Sequence, residues 1–118
     1  MASEPLNRLG RATVVSLIGL REVYRSEAAF RQELVVLLLI IPAAWLLTSV
    51  GVERALLIGS WMLVVVIEMV NSAIEAAVDR MGKERHELSR KAKDLGSAAV
   101  FCSIVLSVTV WILVLFPW

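Results

Sequence analysis

Three long apolar stretches, separated by short polar ones, dominate the chain. The first runs over residues 34–50, just long enough to cross a hydrocarbon core at 1.5 Å per helical residue. Pro42 lies inside it, which neighbouring helices tolerate in a bilayer, and Trp45 lies in its outer half. The second is less sharply bounded. Ala55 to Ile67 alone gives about 20 Å of helix, and extending back to about Val50 gives about 27 Å, so one membrane boundary falls close to Glu68. The span as a whole is read as residues 52–78, with an outer turn over Ser49 to Arg54 before it. The third covers residues 95–117, with Trp111 and Trp118 toward the outer side and Pro117 at its end. Ahead of all three, from about residue 6 to 27, Leu9, Ala12, Val15 or Ser16, and Gly19 or Leu20 alternate with basic positions at helical spacing. That pattern predicts an amphipathic helix lying in the interface plane, preceded by a frayed end over Met1 to Asn7 with Pro5 suited to a helix start. The expected fold is all-α and integral to the membrane: one domain, residues 1–118, with three transmembrane helices and an N-terminal surface helix.

Composition supports this class. Hydrophobic residues make up 58% of the 118 and mean hydropathy is +0.77, far above a soluble average. The net charge of +1 hides an uneven distribution. Arg8, Arg11, Arg21, Arg25 and Arg31 lie in the first charged segment, and Arg80, Lys83, Arg85, Arg90, Lys91 and Lys93 in the second. The positive-inside rule places both segments in the cytoplasm and the connection around Arg54 outside, hence N-terminus in and C-terminus out. Charges interrupt the first helix too often for a signal peptide. Cys102, the single cysteine, stands in an apolar run and reads as a small buried hydrophobe. No phosphate loop, G-x-G-x-x-G or protein-kinase signature occurs, and the basic residues are not interleaved with aromatics, which argues against nucleic acid.

The chemistry concentrates in I-E-M-V-N-S-A-I-E-A-A-V-D, Ile67 to Asp79. At about 100° per residue, Glu68, Asn71, Ser72, Glu75 and Asp79 share one face, while Met69, Val70, Ala73 and Ala77 suit lipid or a packed helix. A carboxylate at membrane depth costs a few kcal/mol and is a functional candidate by default. Glu75, about 10 Å further along the axis than Glu68, reaches the aqueous side. Glu27, Arg31 and Glu33 stand at the approach to the first span, where the plainer reading is a solvated turn with a Glu27 to Arg31 pair. In the hydrophilic stretch Asp79 to Asp94, His86 has no second histidine to complete a metal site. Lys93 and Asp94 precede Gly96-Ser-Ala-Ala99, whose small residues permit close helix approach. Beyond it the third span is plainly hydrophobic apart from Ser97, Ser103, Ser107 and Thr109. Carboxylates with few other ligands suit Mg²⁺ arriving with a nucleotide phosphate. These residues lean to phosphoryl chemistry at the inner membrane surface, with ion conduction or transport as the rival.

E-A-A-F-R-Q-E at Glu27 to Glu33, E-x-x-N-S-A-I-E-A-x-x-D-R at Glu68 to Arg80 and H-E-L-S-x-x-A-K-D-x-G-S-A-A-V at His86 to Val100 resemble the small prokaryotic diacylglycerol kinase family over nearly the whole chain. The resemblance implies a homotrimeric bundle in the bacterial inner membrane, with composite active sites on the cytoplasmic side. It implies transfer of the γ-phosphate of MgATP to the hydroxyl of diacylglycerol, giving phosphatidic acid. Glu68 then matches the general base, and Glu27 and Glu75 match the ligands of Mg²⁺. Arg8, Asn71, Glu84, Arg85, His86, Lys93 and Asp94 match nucleotide contacts, while Arg8, Ala29, Phe30, Arg31, Gln32, Glu33, Glu68 and Ser97 match positions at the lipid substrate. Val15 departs from relatives that carry an aromatic side chain there. Undecaprenol kinase activity, found in a related branch, and a non-enzymatic transporter subunit are the alternatives.

Overall fold

A computed structural model describes residues 3–82 and 86–117, all helical apart from short connections. Helix α1 spans Glu4–Ser26, α2 Ala28–Leu47, α3 Gly51–Arg80 and α4 Glu87–Leu115. The last three are long and apolar enough to cross a membrane. Among the described residues there is no strand.

Helix α1 begins at Glu4, earlier than the frayed end expected, with Pro5 in its first turn, where the missing N–H is no loss. It ends at Glu27, whose extended backbone (φ −116°, ψ 110°) breaks the path into α2. Laid end to end, α1 and α2 would reach about 65 Å; the molecule measures 51 × 48 × 23 Å. So α1 projects sideways from the three long helices. Val23 is its one buried residue, and Leu9, Val15 and Leu17 remain exposed, as a helix half-sunk in a membrane interface requires. The elbow is tied by Arg31, whose Nη1 donates to the carbonyls of Tyr24 (2.7 Å) and Arg25 (3.1 Å). These are end carbonyls of α1 that have no partner within their own helix. The expected Glu27 to Arg31 pair does not form, because the elbow turns the guanidinium onto α1 instead.

Helix α3 is the centre, packed against α2 on one side and α4 on the other. Phe30 and Leu37 of α2 meet Val65, with Val23 of α1 joining the cluster and Leu34, Trp61 and Met69 around it. The α4 side is built differently. Gly96, Ser103 and Ser107 are the buried residues of α4, so the two backbones approach closely. Ser107 Oγ meets Ser60 Oγ at 3.0 Å, and Trp111 Nε1 donates to the Leu57 carbonyl at 3.1 Å. Across the other seam, Trp61 Nε1 donates to the Glu33 carbonyl at 2.9 Å.

The polar ends are more helical than hydropathy indicates. The turn joining α2 to α3 is only residues 48–50, so Glu53 and Arg54 belong to α3. Arg54 donates to the carbonyls of Thr48 (2.8 Å) and Trp45 (3.1 Å) and stacks on the Trp45 ring at 3.8 Å; Thr48 Oγ1 bonds Glu53. Helix α4 starts at Glu87, well before residue 95, because His86 Nδ1 caps it by accepting from the Leu88 N–H (3.1 Å). Apolar patterning marks the part of a helix in hydrocarbon, not its polar extensions.

Candidate active site

Away from the α2/α3 turn, α3 carries a polar face into the protein. Glu68 is 6% exposed and Asn71 8%, Ser72 and Glu75 are half-buried, and Asp79 is exposed. The lipid-suited face is borne by Val70, Ala73 and Ala77, all exposed. Asn71 Nδ2 donates to Glu75 Oε1 at 3.4 Å. Glu27 at the elbow and Glu75 both lie within charge-interaction range of Glu68, and Glu68 in turn within range of Glu33. Three polar atoms here are buried without a partner: Glu33 Oε2, Asn71 Oδ1 and Ser72 Oγ. An unsatisfied buried group costs about 1–3 kcal/mol, so this concentration singles out the region as a candidate site.

A groove of about 630 Å³ opens beside it, between α1 and α3. Gly19, Glu22 and Glu27 form one wall, and Ser72, Ala73 and Ala76 the other. Small residues provide its room, and carboxylates and hydroxyls its polarity. At the mouth of the site, Lys93 Nζ lies 2.6 Å from Asp79 Oδ1, joining α4 to α3. Asp94 is held by Arg90 at 2.6 Å, and Arg90 also bonds Glu87. The two members of the Lys93 and Asp94 pair are thus each engaged with another residue of the chain.

The structure gathers Glu27, Glu33, Glu68, Asn71 and Glu75, with Lys93 and Asp94 at the edge. It does not bring Arg8 to them: along α1, Arg8 is about 28 Å from Glu27. Phe30, 3% exposed, belongs to the core, and Arg31 serves the elbow. Ala29, Gln32 and Ser97 are exposed. His86 uses Nδ1 for its cap. Glu84 and Arg85 lie outside the described residues. Two residues carry no site role in the sequence reading: Ser72, read only as part of the polar face of α3, and Gly96, read only as the start of a run of small residues.

Among the described residues no three His, Cys, Asp or Glu side chains are arranged to hold a metal by themselves. Glu27 and Glu75 nevertheless fit Mg²⁺ delivered on a nucleotide. They are hard oxygen donors, neither forms an ion pair among the described residues, and Mg²⁺ commonly takes one or two carboxylates and draws its remaining ligands from phosphate and water.

The family profile described as prokaryotic diacylglycerol kinase matches residues 14–115, a range that contains the whole of α2, α3 and α4. The chain belongs to this family. It is 50% identical over 109 residues to the diacylglycerol kinase of Escherichia coli strain K12, a match covering 92% of this chain and 88% of that protein. It is 46% identical over 110 residues to the diacylglycerol kinase of Pseudomonas aeruginosa, covering 93% and 89%. To that of Haemophilus influenzae it is 43% identical over 106 residues, covering 90% of each. As a member of the prokaryotic diacylglycerol kinase family the chain is a membrane-spanning kinase, and the non-enzymatic transporter reading falls away.

Proposed function

We propose that the protein transfers the γ-phosphate of MgATP to the hydroxyl of diacylglycerol, releasing phosphatidic acid and ADP. The observation that carries this reading is a buried carboxylate, Glu68, beside Asn71 on a helix long and apolar enough to cross a membrane, with Glu75 about 10 Å further along the same helix. Glu68 accepts the proton of the lipid hydroxyl; the freed oxygen attacks the γ-phosphorus as its bond to the ADP oxygen breaks. Glu27 and Glu75 would hold Mg²⁺, and Asn71 orients Glu75 through its Nδ2 bond. Bound Mg²⁺ neutralises charge on the phosphate oxygens. Lys93 adds a cation at the phosphates once it leaves Asp79, and Asp94, Glu84, Arg85 and His86 contact the nucleotide. Little covalent work is asked of the chain, since phosphoryl transfer depends mainly on alignment and charge neutralisation.

Ala29 to Glu33 and Ser97 meet the lipid, with Phe30 and Arg31 supporting that segment from within. Arg8 serves a composite site in a homotrimer, where one subunit's surface helix completes the site of another; its distance of about 28 Å from this chain's own Glu27 along α1 favours that arrangement. The distribution of arginine and lysine supports the bacterial inner membrane, with the N-terminus and the active site cytoplasmic.

The test is ATP consumption by the purified protein in mixed micelles, with dioleoylglycerol and undecaprenol supplied in parallel and Mg²⁺ varied. Mg²⁺-dependent turnover on dioleoylglycerol is expected. Turnover on undecaprenol alone would replace the lipid substrate and keep the phosphate chemistry, and no turnover on either would overturn the proposal.

A further inference from the structure

Six glycines punctuate the chain, and they are not equivalent. A side chain added at Gly10, Gly19, Gly51, Gly59 or Gly82 would meet nothing within 4 Å. At Gly96 it would collide with Asn71 Oδ1 and come within 3.3 Å of Asn71 Cγ. Gly96 is buried in the α3/α4 seam, and the collision shows that one of its α-hydrogens points at the amide oxygen. That contact is a weak C–H···O bond of the kind found where helices approach closely. It gives Asn71 Oδ1 a neighbour where no N–H or O–H donor reaches it. The other end of the same amide is the group that donates to Glu75.

We infer that Gly96 is a positioning residue for the kinase reaction: its missing side chain seats the Asn71 amide in the seam so that Nδ2 faces Glu75. This rests on the proposed role of Glu75 toward MgATP and extends it to a residue on a different helix that touches neither substrate. The amide can escape a methyl group at position 96 only by rotating, since Asn71 is buried against α4 and its backbone is fixed within α3. Rotation gives up the bond to Glu75. A substitution at Gly96 therefore acts on the carboxylate through Asn71.

The chain suits a direct test, because Asn7, Gln32 and Asn71 are its only side-chain amides. In the full-length protein in micelles, the Asn71 NH₂ resonances are assigned by substitution and followed without nucleotide. They are expected to move in Glu75→Gln and in Gly96→Ala. Gly96→Ala is also expected to raise KM for MgATP about tenfold with a smaller change in kcat, the mark of lost binding. Combined with Asn71→Ala it should add no further loss, since both substitutions remove the same interaction. Unmoved Asn71 resonances in Gly96→Ala, or losses that add, would overturn the positioning role. Resonances that move while KM stays unchanged would leave the Asn71 geometry intact but refute the nucleotide role of Glu75, and with it any service of Gly96 to the reaction. If Gly96→Ala fails to fold, the double variant with Asn71→Ala removes the colliding amide and is expected to fold; its failure too would count against the inference.

Discussion

The two ends of the helical bundle treat their polar groups in opposite ways. At the α2/α3 turn, Arg54 satisfies the carbonyls of Trp45 and Thr48, Thr48 bonds Glu53, and further along the seam Ser60 meets Ser107 and Trp111 meets Leu57. At the other end Glu33, Asn71 and Ser72 each bury an atom without a partner, and the carboxylates of Glu27, Glu68 and Glu75 crowd together. A polar group that is paired within the chain contributes to stability. One that is buried and unpaired costs stability until something binds, which is how a functional site differs from a structural one.

This contrast can be broken at either end. The largest effect is expected at Glu68. Glu68→Gln keeps the shape and removes the proposed proton acceptor, so turnover on dioleoylglycerol should fall at least about a hundredfold while thermal unfolding is unchanged or raised. Retained turnover would remove Glu68 from its role. Next, Glu75→Gln should raise KM for MgATP about tenfold, equivalent to about 1.4 kcal/mol of binding, and shift the Mg²⁺ titration to higher concentration. An unshifted titration would argue against its part in holding the metal.

Substitutions at the paired end should do the reverse. Arg54→Ala gives up two bonds to carbonyls and a cation–π contact, an expected loss of about 1–3 kcal/mol in unfolding stability. The rate per folded molecule should not change, and a fall in kcat without loss of stability would erase the distinction between the ends. The smallest stability effect belongs to Asp79→Asn. The pair with Lys93 is exposed on both sides, 45% and 64%, and exposed pairs contribute little. Its unfolding midpoint should match that of the unaltered protein, at low salt and at high.

Most of the architecture could be read from the sequence because hydrocarbon imposes it. Three spans and an interfacial helix follow from where apolar residues run on and where they alternate with arginine. The acidic face of α3 was legible for the same reason, since Glu68 is expensive anywhere near lipid. What stayed hidden depends on contacts between helices. In a helix apolar on every side, periodicity cannot say that Ser103 and Ser107 face α3 while Ser97 and Thr109 do not. The assignment of Arg31 to α1's end carbonyls needs the elbow to exist first, and the Lys93 to Asp79 pair needs the α3/α4 hairpin. Gly96 looked like one more small residue until the fold placed Asn71 against it.

Helix α3 runs without interruption from Gly51 to Arg80, and that continuity makes it a ruler. The offset between Glu68 and Glu75 is fixed by covalent backbone and a ladder of hydrogen bonds, whatever the lateral arrangement of its neighbours. One inserted residue between them would turn the second carboxylate by about 100° and slide it about 1.5 Å, from the protein's interior toward its lipid-facing side. On the proposed roles of Glu68 and Glu75, the meeting of a water-borne reactant with a membrane-borne one is therefore written into residue count, and the register of this single helix is less tolerant of change than the outline of the molecule around it.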